Sequence, residues 1–364
     1  FKVILKSNNL FPNVYYTLGN TYKAKGEIKL AIENYKTAIS LKSDHADAHW
    51  NLSLTLLLAG DYENGWKEYK WRWKLVDAAK AQAKPLSLLW NGEGLNQLEK
   101  LLIVSEQGIG DTFQFIRYAI YLKNKGIQIS ICAQPNLHGI IKTSGIDLNP
   151  LSPKEANQEK KIPWTPLLNL PQYLKVNKFN PLINQSYLST NINLIQKWGV
   201  ILSREKKPII GIHWQGNPNI EKTRLKGRSL NIKYFQQISN SNKIKLLSLQ
   251  KDFGSDQLKK CNFQNKFVNC QEKINETWDF LETAAIIMNC QLIITSDSCI
   301  AHLSGALGMK TWLLLSNRPD WRWGIRGEQS FWYPSMRIFR QKEEGSWKEV
   351  MNEVKNELKK LNYQ

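Results

Sequence analysis

LLIVSEQGIGDTFQF, residues 101–115, carries four apolar residues, a turn built on Gly108 and Gly110, and then a stretch with helical spacing. A short apolar run entering a glycine turn and a helix opens a strand–loop–helix unit, the building block of parallel α/β sheets. The two glycines let the chain turn sharply after the strand and keep side chains out of the space above it. A dinucleotide-binding loop would carry a third glycine at position 113, where this chain has Phe113, so that fingerprint fails. Asp111 stands instead where a phosphate would sit. On one reading it is a helix cap. On the other it is a carboxylate in the crevice where open α/β sheets bind ligands, able to accept a proton from a hydroxyl.

Outward from this segment the pattern persists. IQISICA (127–133), PIIGIHW (208–214), KLLSL (245–249), QLIITS (291–296) and TWLLLS (311–316) read as further strands. Helices are expected at about 111–124 and from Asp297 to near Gly308, with a closing amphipathic helix in SWKEVMNEVKNELKKL (346–361). Short apolar strands alternating with helices imply parallel sheets covered on both faces. The stretch 151–205, rich in Pro and Asn, resists assignment, and a break near 203–207 divides the region into two halves of similar size.

Upstream the period changes. YYTLGNTYKAKGEIKLAIENYKTAI (15–39) aligns with HWNLSLTLLLAGDYENGWKEYKWRW (49–73) at an offset of 34: Leu18 with Leu52, Gly26 with Gly60, Tyr35 with Tyr69. Leu18-Gly19, Tyr22, Ala31, Tyr35 and Ala38 resemble the signature of the tetratricopeptide repeat, a pair of antiparallel helices. Phe1 falls one period further back, so the chain is expected to begin inside a repeat. Trp66, Tyr69 and Trp73 share one helical face, which points to packing against the next domain ahead of a carbohydrate-stacking platform. The expected boundaries are repeats at 1–75, a linker at 76–99 closing on WNGEG (90–94), α/β halves at 100–205 and 206–345, and a closing helix at 346–364.

Composition narrows the function classes. The net charge is +19, but the lysines that make it are spread along the chain, with no RNA-binding aromatic motif or zinc-finger spacing, so no nucleic-acid partner is expected. Arginines 318, 322, 326, 337 and 340 do cluster, which suits either bidentate contact with carboxylate or phosphate, or pinning of a loop to backbone carbonyls. No apolar run approaches the roughly 20 residues needed to span a bilayer, leaving only peripheral membrane association open. The 5 cysteines form no Cys-x-x-Cys pair, so no structural zinc is expected and a cytoplasmic setting is the default.

Two further motifs carry chemistry. GIHWQGNPNIEKTRLKGRS (211–229) runs from a strand into a loop bearing Lys222, Arg224, Lys226 and Arg228. It is a solvated basic loop or, at the carboxyl end of the second half's first strand, a diphosphate site. In IITSDSCIAHLSGALG (293–308), Asp297 is expected to cap a helix whose Ser298 and Cys299 N–H groups point outward, an arrangement that binds anions. Asp297 would accept hydrogen bonds from ligand hydroxyls. His302, one turn further in, reads alone as a packing residue.

Together these motifs resemble those of the heptosyltransferase-like glycosyltransferases of family nine, as do WNGEG, EQGIGDT (106–112), DWRWG (320–324) and WYPSMRIFRQ (332–341). The resemblance implies an α + α/β chain, with tetratricopeptide repeats preceding a GT-B pair of Rossmann-like domains. It also implies inverting transfer from a nucleotide-diphosphate sugar as co-substrate, with no cofactor and no metal. Carried over by motif, Asp111 would be the general base toward the acceptor. Gly108, Gly110, Lys222, Arg228, Asp297, Ser298, Cys299 and His302 would line the donor site. Cys299 stands where a glycine is usual and Arg228 where a lysine is usual, so heptose does not carry over as the sugar. The repeats would dock a protein or glycan acceptor; a protein acceptor would make the chain an analogue of the repeat-bearing O-linked N-acetylglucosamine transferases. The alternative is a non-catalytic scaffold whose GT-B region binds a nucleotide or glycan.

Overall fold

The structure is a computed structural model, and it describes residues 11–76, 81–223, 226–239 and 243–361. The residues at 1–10, where the upstream repeat was expected, and Arg224 lie outside the described set. The chain divides into two compact units.

The first unit holds the helices α1 (Pro12–Ala24), α2 (Ile28–Leu41), α3 (Ala46–Ala59) and α4 (Tyr62–Tyr69). Gly26 and Gly60, one repeat apart, take φ of 79° and 90° between the paired helices, the left-handed turn that glycine makes without penalty. A Cβ at Gly19 would fall 2.5 Å from the Tyr35 ring, so the missing side chain is what lets α1 and α2 close on each other. Ala31, Tyr35, Leu52 and Leu56 form the core between the two hairpins.

The unit is discontinuous in sequence: 169–181 and 319–326 belong to it as well. The Trp66 indole N–H donates to Val176 O at 2.9 Å, and the Trp321 ring meets Trp66 edge-on at 5.3 Å. The expected aromatic face is therefore covered at Trp66 and Tyr69, both 2% exposed. Trp73 departs from it and is 37% exposed. The cause is local: the chain tightens to a 3-10 helix over Lys70–Lys74, so the 3.6-residue period fails there.

The second unit carries two parallel sheets. β1 (Lys100–Val104), β2 (Gln128–Cys132) and β3 (Trp164–Pro166) lie in the order β2-β1-β3. β4 (Ile209–His213), β5 (Lys245–Ser248), β6 (Leu292–Ser296), β7 (Thr311–Leu315) and β8 (Met336–Arg340) lie in the order β5-β4-β6-β7-β8. Both halves thus begin with an inner strand whose two neighbours come later in sequence, and the crevice between those neighbours is a topological switch point. Buried Ile210, Ile212, Leu292, Ile294, Trp312 and Leu314 join residues of the closing helix, Trp347–Lys360, in the core of the second sheet.

Several boundaries differ from expectation. The helix expected at 111–124 is two, α5 (Ile109–Phe115) and α6 (Arg117–Asn124), separated at Ile116. From Ala81 onward the presumed linker belongs to the sheet unit: Trp90 N donates to Trp164 O at 2.8 Å, and Trp164 N to Leu88 O at 3.0 Å. It runs beside β3 because Trp90 has somewhere to be buried. The two α/β halves form one unit by contact rather than two.

Candidate active site

The carboxyl end of β1 holds the opening motif. Gln107 takes φ of 60°, a left-handed conformation that costs a non-glycine residue about 1 kcal/mol or more and tends to occur at functional sites. Gly108 then serves as the N-cap of α5, and Asp111 Oδ2 accepts the Gly108 N–H at 2.9 Å. Asp111 therefore does fill the capping role, from the third helical position. Gly110 does something other than clear a cavity. A Cβ there would lie 3.0 Å from His302 Cδ2 and 3.4 Å from Cys299 Cα. Its bare backbone lets α5 of the first half touch α10 of the second, where α10 is Cys299–Ala306 and α7 (His138–Thr143), α8 (Ile192–Leu202) and α9 (Phe280–Met288) intervene in sequence.

Asp297 is not the cap of α10. The N-cap is Ser298, with extended backbone, and its hydroxyl makes no capping bond. It instead lies 3.2 Å from His213 Nδ1 and 3.2 Å from Thr295 Oγ1. The reason is register: β4 and β6 are neighbours with His213 opposite Thr295, so the residue that follows the β6 bend lands on the end of β4. Thr295 donates its own proton to Ser296 O at 2.8 Å, leaving it an acceptor toward Ser298. Asp297 is 8% exposed beside them, and Ser296 Oγ is buried with no hydrogen-bond partner among the described residues.

The basic loop supplies Arg228. Its guanidinium lies over Gly216: a Cβ there would be 2.4 Å from a guanidinium nitrogen. Its Nε is 3.4 Å from Glu221 Oε1, with both side chains mostly buried. Ser229 donates to the same Glu221 carboxylate and accepts the Gly216 N–H at 2.9 Å. The Arg228 charge is felt at the ends of both β4 and β6. Burial, reinforced by Arg228, pushes the His213 imidazole down to about 3, so it is neutral in the physiological range. Burial pushes the Cys299 thiol up to about 11, against the pull of Arg228; it is an un-ionised thiol. Lys222 is exposed on the short helix Pro218–Thr223, and among the described residues no contact brings it to this cluster.

His302 is 5% exposed, and its Nδ1 lies 2.9 Å from the Tyr333 hydroxyl. Asp111, Gly110, Cys299, Ser298, His302 and Arg228 thus gather in one region, while Lys222 stays apart. His213 and Glu221 belong to the region without having been singled out in sequence. Both lie inside the quoted 211–229 motif, and a histidine ending a buried parallel strand was the available signal. Of the clustered arginines, Arg318 pairs with Glu344 at 3.0 Å and Arg322 with Asp320 at 2.8 Å. Arg337 pairs with Glu357 at 2.7 Å, and Arg340 bonds Gly327 O at 2.9 Å. They pin local structure.

A tetratricopeptide-repeat unit joined to two Rossmann-like halves, with an acid-bearing helix of one half meeting a helix start of the other, is the GT-B architecture preceded by repeats. Residues 19–60 match the family model of the TPR repeat. The fold is similar to that of E. coli ADP-heptose LPS heptosyltransferase II, at 12% identity and a TM-score of 0.50, covering 72% of this chain and 98% of that one. A glycosyl transferase of family 9 from Veillonella parvula matches at 10% identity and a TM-score of 0.46, over 77% of this chain and 91% of that one. A Thermobaculum terrenum O-GlcNAc transferase mutant matches at 9% identity and 0.30, over 98% and 85%. No curated protein matches in sequence.

Proposed function

We propose that the chain is an inverting glycosyltransferase that uses a nucleotide-diphosphate sugar without a divalent metal. The observation that carries this reading is the contact of Gly110 with Cys299 and His302. It sets Asp111, the candidate base, one residue from the start of α10, the candidate diphosphate site. In the proposed reaction the acceptor hydroxyl oxygen attacks the anomeric carbon while Asp111 takes its proton. The bond from that carbon to the diphosphate oxygen breaks, and the electron pair leaves with the nucleoside diphosphate. Arg228 and the Ser298 and Cys299 N–H groups would stabilise that charge, each well-placed donor contributing on the order of 3 kcal/mol. Asp297 would hold the sugar hydroxyls. The repeats would dock a protein or glycan acceptor.

A second reading keeps the fold and drops the chemistry. It is favoured by the Asp111 carboxylate already bonding Gly108 N–H and by Arg228 already facing Glu221. Nucleotide binding tests the donor site, and turnover of the bound nucleotide sugar separates the two readings. ADP, UDP and GDP, each titrated in a thermal-shift assay, should include one that raises the melting temperature by mass action. Arg228→Ala should weaken that ligand by about 1.5–3 kcal/mol in calorimetry. No shift with any of the three would sink the donor site, and unchanged affinity in the variant would move the phosphates elsewhere.

A further inference from the structure

Arg117 is fully buried, at the start of α6, and among the described residues no carboxylate pairs with it. Its Nε donates to Gln114 O at 2.8 Å, its Nη1 to Ile183 O and to Trp332 O at 2.9 Å each, and its Nη2 to the Tyr187 hydroxyl at 3.0 Å. Three rings surround the charge: Tyr187 at 4.7 Å, Tyr333 at 4.8 Å and Trp332 at 5.5 Å. Burying a guanidinium without a counter-ion is costly, and only a planar fork can bond several carbonyls in different directions while stacking on aromatic faces.

The partners come from three separate places. Gln114 lies in the last turn of α5 in the first half, Ile183 and Tyr187 lie on the crossover between halves, and Trp332 and Tyr333 precede β8 in the second. The same residues close back on the site. The Tyr187 hydroxyl donates to Phe113 O at 2.8 Å, and Tyr187 N donates to Ala306 O at the end of α10 at 2.9 Å. Tyr333 bonds His302, and a Cβ at Gly305 would lie 2.5 Å from its ring. The helix α5 is therefore gripped at its start by α10 and at its end by Arg117 and Tyr187.

We propose that Arg117 is a positioning residue, a charged pin that fixes α5, and with it Asp111, against α10 of the other half. The base and the diphosphate site then belong to one rigid body instead of meeting on closure of the cleft. The catalytic consequence rests on the proposed function; the mechanical one does not.

Hydrogen–deuterium exchange on the full chain, with peptides covering 109–116 and 299–306, separates them. Arg117→Lys keeps the charge and loses the fork; Tyr187→Phe removes a single oxygen and is the milder variant should the first fail to fold. In folded variants, exchange over 109–116 should rise roughly tenfold or more, while 299–306, seated on the second sheet, stays near the parent rate. Affinity for whichever of ADP, UDP and GDP binds should stay within roughly threefold, and hydrolysis of its sugar adduct should fall roughly tenfold or more, because only the base is displaced. Unchanged exchange over 109–116 in folded Tyr187→Phe, or an equal rise throughout the second sheet, would overturn the pin. If no nucleotide binds the parent chain, the functional reading fails while the exchange data still decide the pin.

Discussion

His213 shows what a single residue does at the end of a strand. It closes β4 with its ring against Ser298, and burial beside Arg228 holds it neutral down to about pH 3. An unfolded histidine takes up its proton near pH 6.5. Between those values the unfolded chain binds a proton that the folded chain refuses, so stability is intact above about 6.5 and declines as pH falls through the window. Thermal melts from pH 7 to pH 4 should show a smaller loss for His213→Gln than for the parent. Equal losses would mean that His213 is already protonated in the fold. The histidine was visible in GIHW, but the proton-refusing environment was not. Arg228 approaches through Gly216, a contact fixed by the loop's path and not by spacing along the chain.

At the scale of elements, the meeting of α5 and α10 is the joint on which the site depends. Gly110→Ala should force His302 aside by a few tenths of an ångström, an overpacking cost of about 1–3 kcal/mol. Denaturant melts would register it; a variant as stable as the parent would mean that the helices are looser than the 3.0 Å approach implies. β1, β4, β5, β6 and β7 were legible in sequence because burial on both faces leaves an apolar run, and β2, with Ser130 half-buried between Ile129 and Ile131, was legible by its alternation. Two strands were not. Trp164–Pro166 is three residues ending in proline, and Met336–Arg340 alternates with arginines that bond Glu357 and Gly327 O. The cap of α10 was misread by one residue because Asp297 and Ser298 are equally good capping types, so residue type could not choose between them, and the β6 bend gives the place to Ser298.

At the scale of the molecule, the helical unit is completed by residues far along the chain. The DWRWG segment sets Trp321 edge-on against both the Tyr62 and the Trp66 rings, and 169–181 supplies the carbonyl for the Trp66 indole. The 34-residue period located the repeats, yet no periodicity could announce that two distant segments finish their core. A fragment of 81–364 would leave Trp321 and Val176 without these partners, and large exposed apolar surface promotes association. Size-exclusion chromatography should find it aggregated. A monomeric fragment melting with the parent would show that the repeats are an independent appendage.

In the proposed reaction, sugar leaves a nucleoside diphosphate at the meeting of α5 and α10, with Asp111 as the base. Asn matches Asp in size and keeps a side-chain oxygen able to accept the Gly108 N–H, so Asp111→Asn isolates the proton acceptor from the fold. The measurement is the turnover of a nucleotide sugar, to acceptor or to water, by parent and variant at saturating donor. Donor affinity should be unchanged and turnover should fall by roughly two to four orders of magnitude. A folded variant that turns over at the parent rate would contradict that reaction.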